Sequence, residues 1–202
     1  IKGSNDIFLL DGSNNVMIEA SAAGSVDLYH NNSKKFETTS SGVDVTGRMA
    51  INDGNNNVSI GDSAGDALTT GFSNVAIGSS ALTAEDTGRA NVAVGYFALA
   101  TQNSDTANYN TAVGYAAGQN VSTGILNTIV GGLAGDALTT GSGNVAIGYQ
   151  ALTSEDGHGT NIAVGHNSLA TLNAGADAYN IAVGYNAGMG MTTGLRNTII
   201  GG

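Results

Sequence analysis

A five-residue phrase, Asn-x-Ala-[Val/Ile]-Gly, recurs through most of this chain and constrains its fold more than any other feature. Full copies begin at Asn74, Asn91, Asn110, Asn144, Asn161 and Asn180. Looser copies begin at Asn57, Asn127 and Asn197. A fixed phrase at a nearly fixed period indicates one structural unit that is stacked many times. We call the phrase the pentad and refer to its residues as positions 1 to 5.

The pentads divide the chain into coils of nearly equal length. Most are 17-residue coils, and the two that begin at Asn91 and Asn161 are 19-residue coils. The order of coil lengths repeats, so residues 57–126 and 127–196 form two blocks of four coils. Ala64–Gly71 recurs unchanged at Ala134–Gly141. The two extra residues of each longer coil come late in that coil, which predicts a loop on one side of the stack.

The residue types at each position predict how a coil is built. Strand alternation places positions 2 and 4 on one face and positions 1, 3 and 5 on the other. Alanine at position 3 is small enough for the close approach of a neighbouring chain, and the Gly at position 5 suits a backbone corner with positive φ. Four residues beyond that Gly stands either Leu or Gly. Where Gly stands there, an apolar residue follows three positions later: Leu68, Val121, Leu138 or Met191. Each coil should therefore supply one large apolar side chain to a common interior.

Residues 1–56 lack the pentad and form a separate module in this interpretation, a slender β shaft before the repeat domain of residues 57–202. Short alternating runs bounded by Gly, Asn and Ser indicate strands. The predicted strands are Ile7–Leu10, Val16–Glu19, Val26–His30, Lys35–Thr39 and Val43–Thr46. Strands this short need further partners for stability, so we expect the module to complete itself against other copies of the chain.

Charge and composition exclude several classes of protein. The formal net charge is −10, and beyond residue 57 only Arg89 and Arg196 are basic. Because nucleic-acid binding requires a basic surface, we expect no nucleic-acid partner. The sequence has no apolar run long enough to cross a bilayer, so we expect no membrane insertion. The chain begins at Ile1 and ends within a new coil, so we expect it to be a fragment or a processed piece of a longer protein.

The extended phrase Asn-x-Ala-[Val/Ile]-Gly-x-x-Ala is complete at Asn74–Ala81, Asn91–Ala98 and Asn144–Ala151. It resembles the head repeat of trimeric autotransporter adhesins and similar repeats in the tail fibres of tailed phages. Over residues 57–202 the resemblance implies an all-β parallel β-roll or β-solenoid, left-handed, with three intertwined chains around a shared axis. Separately, Ser25–Gly47 resembles shaft modules of phage tail fibres, and this favours the phage source.

One column of aromatic residues is a candidate ligand-binding surface. The residue after the pentad Gly is aromatic in five coils: Tyr96, Tyr115, Tyr149, His166 and Tyr185. Rings at strand spacing could stack on the sugar rings of a host polysaccharide. The alternative, which we favour, is that stacked rings stabilise the parallel coils.

No catalytic, cofactor or metal site is predicted. Glu85-Asp86 and Glu155-Asp156 are paired carboxylates, as a glycosidase would need. Their recurrence in both blocks indicates a solvated turn, because a catalytic site need exist only once. The sequence leaves open a calcium site at Asp66 or Asp136 or in the loops of the two Glu-Asp pairs. The three histidines, His30, His158 and His166, lack the spacing of a metal motif.

Taken with the resemblance, these observations predict a structural and adhesive fibre protein. The first hypothesis is a homotrimeric segment of a phage tail fibre in the virion. This segment would support or form the binding site for a host cell-surface glycan or protein receptor. It would also contact other tail proteins of the virion. The second is the head of a trimeric autotransporter adhesin on the bacterial outer surface. The third is a tailspike that cleaves polysaccharide.

Overall fold

The computed structural model describes residues 6–21, 24–31, 33–45 and 54–202. The chain divides into two units, residues 1–50 and 51–202, and each is considered by itself. All regular elements among the described residues are β-strands, so these residues include no helix long and apolar enough to cross a membrane. The predicted all-β class is confirmed.

The first unit is a five-stranded antiparallel sheet in which neighbours in sequence pair with each other. Its strands are β1 (Asp6–Leu10), β2 (Val16–Ser21), β3 (Val26–His30), β4 (Ser33–Thr39) and β5 (Gly42–Val45). The alternating runs predicted these strands to within two residues, except that Thr46 lies outside the described residues. The apolar side chains Ile7, Phe8, Leu9 and Leu10 of β1 are all about half exposed. Both faces of this strand are therefore uncovered in the single chain.

A polar network lies across β2, β3 and β4. The Lys34 ammonium is 2.6 Å from Asp27 and 3.2 Å from Glu37. The pKa of the Asp27 carboxyl lies below its usual value, mainly because of the hydrogen bond with Lys34. The Tyr29 hydroxyl donates to Glu19 at 3.0 Å, and this bond raises the pKa of Tyr29. Because such ion pairs on a small sheet are worth little in free energy, the network orients side chains more than it stabilises the sheet.

The second unit is a parallel β-solenoid of about eight coils. Its nine strands of three residues each contribute pentad positions 2 to 4: β6 (Val58–Ile60), β7 (Val75–Ile77), β8 (Val92–Val94), β9 (Thr111–Val113), β10 (Thr128–Val130), β11 (Val145–Ile147), β12 (Ile162–Val164), β13 (Ile181–Val183) and β14 (Thr198–Ile200). Each strand pairs with the next in the order of the sequence. The register places equal pentad positions opposite each other, as in Ala76 against Ala93. The period of the pentad is therefore the period of the solenoid.

Alanine at position 3 points into the coil. Ala76, Ala93, Ala112 and Ala146 have no exposed surface, while the residues on either side of each are partly or largely exposed. The predicted alternation is confirmed, but the expectation that this alanine face meets a neighbouring chain is wrong. The alanines fill the core of their own chain, because so short a coil leaves room for only small side chains beside its Leu column. The face that stays partly exposed is that of positions 2 and 4.

Both predicted ways of filling the core are present: a Leu four residues beyond the pentad Gly, or a Gly there with an apolar residue three positions later. In four coils the large apolar group is Leu82, Leu99, Leu152 or Leu169, each fully buried. In the others a Gly takes that position, and a Cβ on Gly135 would lie 2.9 Å from Leu138 Cδ1. A Cβ on Gly65 would lie equally close to Leu68 Cδ1. The side chain three residues later therefore occupies the space that the Leu fills elsewhere.

Candidate functional site

A buried asparagine ladder holds the corner where each strand begins. The backbone N–H of each pentad asparagine donates to Oδ1 of the asparagine one coil earlier, at 2.8–3.3 Å in all eight steps. In the shorter coils Nδ2 donates to a carbonyl fourteen residues later, as from Asn127 to Gly141 at 2.9 Å. In the longer coil that begins at Asn91, the buried Nδ2 has no partner. The asparagine is thus a structural residue, which explains its recurrence.

Left-handed backbone at the coil corners is a feature that the sequence did not reveal. Besides the pentad Gly, three recurring positions of each coil have φ between 48° and 69°, and most are not glycine. Examples are Ala90 (φ 61°), Gln150 (φ 54°) and Leu152 (φ 54°). L-residues avoid this region, yet most of these positions hold ordinary side chains, so the residue types do not indicate the conformation. Contacts between stacked coils impose it instead.

The candidate ring column forms two exposed stacks. Tyr96 and Tyr115 have ring centroids 5.6 Å apart at an interplanar angle of 14°. His166 lies 5.4 Å from Tyr149 and 5.1 Å from Tyr185, at 28° and 19°. The tyrosines are 45–63% exposed. The five predicted residues therefore lie in two separate stacks, and the predicted stacking of rings on consecutive coils is present in each.

Gly132 separates the two ring stacks. A Cβ on Gly132 would lie 3.5 Å from Tyr149 Cδ2, so the Tyr149 ring already covers this position. Within each stack the rings face one another along the direction of stacking. Ring edges and phenol hydroxyls are therefore the parts that meet solvent, together with ring faces at the ends of each stack. Such a surface offers hydrogen bonds at regular intervals and limited flat apolar area. Whether it binds a ligand stays a prediction.

Positions 2 and 4 form a second surface, which we call the outer sheet face. Every side chain at these positions is Val, Ile or Thr, and none is charged. Many are more than one third exposed: Ile60, Val113, Ile147, Ile162, Ile181, Val183 and Ile200. A long uncharged strip of β-branched side chains on the surface of an acidic chain is typical of an interaction surface.

The paired carboxylates are placed differently from the prediction of a solvated turn. Glu85 and Glu155 are fully buried. Glu85 accepts hydrogen bonds from the N–H of Gly88 at 2.7 Å and from Asn108 Nδ2 at 2.8 Å. It also accepts a longer one from the N–H of Ser104. Burial raises the pKa of the Glu85 carboxyl, while these donors oppose the shift. The glutamate therefore ties the longer loop of the next coil to the coil beneath it.

The remaining candidates have local partners. The Thr83 hydroxyl donates to Asp66 at 2.8 Å, and Thr153 makes the equivalent bond to Asp136. Neither aspartate belongs to a group of three possible metal ligands among the described residues, whereas Glu155, Asp156 and His158 do.

In the first unit, Gly24, Ser25 and Glu37–Ser40 line a surface cavity.

Comparison of the chain with protein-family models, with curated proteins and with solved structures found no match. The resemblance to fibre and adhesin repeats therefore rests on the pentad and its spacing. The solenoid fold is compatible with both kinds of protein, because each coil adds one more layer to an extended stack.

Proposed function

We propose that this chain is a segment of a homotrimeric phage tail fibre that supports or forms a receptor-binding surface. The observation that carries the proposal is the outer sheet face, which consists of nine registered strands that present uncharged Val, Ile and Thr side chains outward. Six of these strands bury an alanine inward. At about 4.8 Å per strand the face is roughly 40 Å long. A stack of this kind is a stiff support, and its apolar face favours assembly.

Association of identical chains accounts for this face better than a separate partner does. The coil interior is thin, since its largest groups are single Leu or Ile side chains between alanine columns. Covering the outer sheet face buries apolar area at about 25 cal/mol per Å². Three chains around one axis cover three such faces at once in a closed arrangement. The half-exposed apolar side chains of β1 favour the same association for the first unit.

Receptor binding is assigned to residues that the scaffold leaves variable. The ring column offers phenol hydroxyls and an imidazole on successive coils, and three copies would repeat this surface around the fibre. Weak contacts with a host glycan or protein receptor then add through multivalency. No catalytic role is proposed, because Glu85 and Glu155 already serve as buried acceptors for loop N–H groups.

The head of a trimeric autotransporter adhesin is the second candidate, and the pentad favours it as much as it favours a fibre. The segment Ser25–Gly47 favours the phage fibre, since it resembles shaft modules of phage fibres. In either case the chain would act at a surface, in the virion or outside the bacterial cell, without inserting into a membrane or binding nucleic acid.

Light scattering on the purified chain tests the assembly. We expect a mass three times that of the 20.0 kDa chain. Ile147→Asp places a charge on the outer sheet face and should give monomers with an unchanged far-UV circular dichroism spectrum. Thr140→Asp, on an exposed turn, is the matched control and should leave the trimer intact. A monomeric parent chain, or a folded Ile147→Asp variant that remains a trimer, would overturn the proposal.

A further inference from the structure

The turn that contains Glu155, Asp156 and His158 brings three different metal-ligating side chains together. One ligand atom from each lies within 4.8 Å of the other two. His158 Nδ1 is 3.3 Å from Glu155 Oε1. The Glu155 side chain is fully buried, the His158 side chain is 31% exposed, and Asp156 is exposed. The group therefore has a fixed inner end and an open outer end.

The first block of the solenoid supplies an internal comparison. At the equivalent positions of that block, Gly88 and Asn108 stand where the second block has His158 and Ala178. Glu85 there receives its two short hydrogen bonds from those same two residues. Ala178 offers Glu155 no side-chain donor, and the His158 N–H, although present, is not among the hydrogen-bond donors to Glu155. Its contacts are His158 Nδ1 and the N–H of Ala174, each at 3.3 Å.

These two exchanges leave a buried carboxylate with only long contacts. A carboxylate without strong donors or a positive charge is costly to bury. The exchanges also bring in an imidazole whose nitrogen faces that carboxylate. A divalent cation held by both groups would supply a stronger positive charge than the imidazole alone and would use both ligands.

We propose that Glu155, Asp156 and His158 form a binding site for a divalent transition metal of the zinc type. With bonds of about 2.0–2.2 Å, two ligand atoms of a tetrahedral zinc site lie about 3.3–3.6 Å apart, which agrees with the 3.3 Å between His158 Nδ1 and Glu155 Oε1. An imidazole ligand favours zinc over calcium or magnesium, which prefer oxygen. Asp156 completes the site by a side-chain rotation at the surface.

Water takes the fourth position, on the open side. The bound metal clamps this turn to the longer loop that follows, because Glu155 also accepts from the Ala174 N–H in that loop. The first block makes the same attachment through the Ser104 N–H, strengthens it with Asn108 Nδ2, and needs no metal. The proposal concerns one site in each chain and does not depend on the assembly state.

Isothermal titration with zinc chloride, on chelator-treated protein at pH 7.5, tests the site. We expect one Zn²⁺ per chain. His158→Gly, which restores the residue of the first block, removes a direct ligand and should weaken binding by more than about 100-fold, beyond the usual cost of losing a supporting residue. His166→Tyr restores the usual residue of the ring column and is the matched control, with unchanged zinc binding.

A second variant separates loss of the metal from loss of the fold. The double variant His158→Gly with Ala178→Asn gives Glu155 the same neighbours that Glu85 has in the first block, and it should fold without binding zinc. Zinc should raise the thermal midpoint of the parent chain and leave that of the double variant unchanged. The proposal is wrong if the parent chain binds no zinc, if binding survives in His158→Gly, or if it is lost in His166→Tyr. In the first of those cases His158 serves Glu155 only as an ion-pair partner.

Discussion

Replacing a pentad glycine with alanine should destabilise the solenoid strongly, because it combines an unfavourable φ with a close contact against the backbone of the next coil. Gly148 has φ 131°, a region that L-residues rarely adopt. A Cβ there would lie 2.5 Å from the carbonyl oxygen of Gly165 and 2.6 Å from its carbon, in the next coil. The neighbour is backbone, so no side-chain rotation relieves the contact.

Both effects can be given a magnitude. Backbone strain in so sparsely populated a region of φ costs an L-residue about 1–3 kcal/mol. To reach ordinary contact distance, the two coils must separate locally by about 1 Å. The 2.7 Å bond from the Gly165 N–H to the Ile147 carbonyl and the 2.9 Å bond from the Asn167 N–H to the Tyr149 carbonyl join these two coils on either side of the contact. Stretched by that amount, they exceed hydrogen-bond range and forfeit about 1 kcal/mol each. We expect Gly148→Ala to lower the free energy of unfolding by about 3–5 kcal/mol.

Two control glycines separate the causes. Gly175 has φ 69° with no atom within 4 Å of an added Cβ, so Gly175→Ala should show backbone strain alone, about 1–2 kcal/mol. Gly190 has the same open space with an ordinary backbone, so Gly190→Ala should change stability by less than about 0.5 kcal/mol.

The measurement is the thermal midpoint by circular dichroism, at one chain concentration for all variants. For a chain of this size each kcal/mol corresponds to about 2–4 °C, so Gly148→Ala should lower the midpoint by about 6–20 °C. The order Gly190→Ala, Gly175→Ala, Gly148→Ala should run from the smallest effect to the largest. Equal midpoints for Gly148→Ala and Gly190→Ala would refute the reasoning.

Three further outcomes follow from the same geometry. Ala90→Gly should stabilise the chain by about 0.5 kcal/mol in chemical denaturation, because relief of left-handed strain exceeds the added chain entropy; a loss of stability would contradict this. Asn108→Ala should destabilise by about 1–3 kcal/mol, because it leaves the buried Glu85 carboxylate without a short side-chain donor, while Ala178→Asn as a control should not destabilise. The raised pKa of Glu85 favours the folded state below the carboxyl's usual pKa and costs stability as pH rises through the folded value. Glu85→Gln should therefore gain stability relative to the parent chain as pH rises above the usual pKa of a carboxyl, and a pH-independent difference would count against burial as the cause.

The pentad by itself determined most of the fold. Its recurrence predicted a solenoid with one pentad in each coil, and the Leu and Gly positions predicted two routes to one core. These predictions succeeded because each coil contacts nearly the same neighbours. The same residue types are therefore required at the same positions of every coil, and the sequence repeats them. The alternating runs of residues 1–56 predicted the five strands of the first sheet for a similar reason, since alternation reports directly on a pleated strand.

Tertiary structure decided what the sequence left ambiguous. Alternation separated alanine from the aliphatic positions, but only closure of the coil showed that Ala76 and its equivalents lie inside and that Ile147 and its equivalents lie outside. The Glu-Asp pairs were predicted to be surface turns, yet the loop of the following coil folds over Glu85 and Glu155 and buries them. The left-handed corners at residues such as Ala90 carry no signature, because contacts with the coils above and below impose the conformation that the residue itself disfavours.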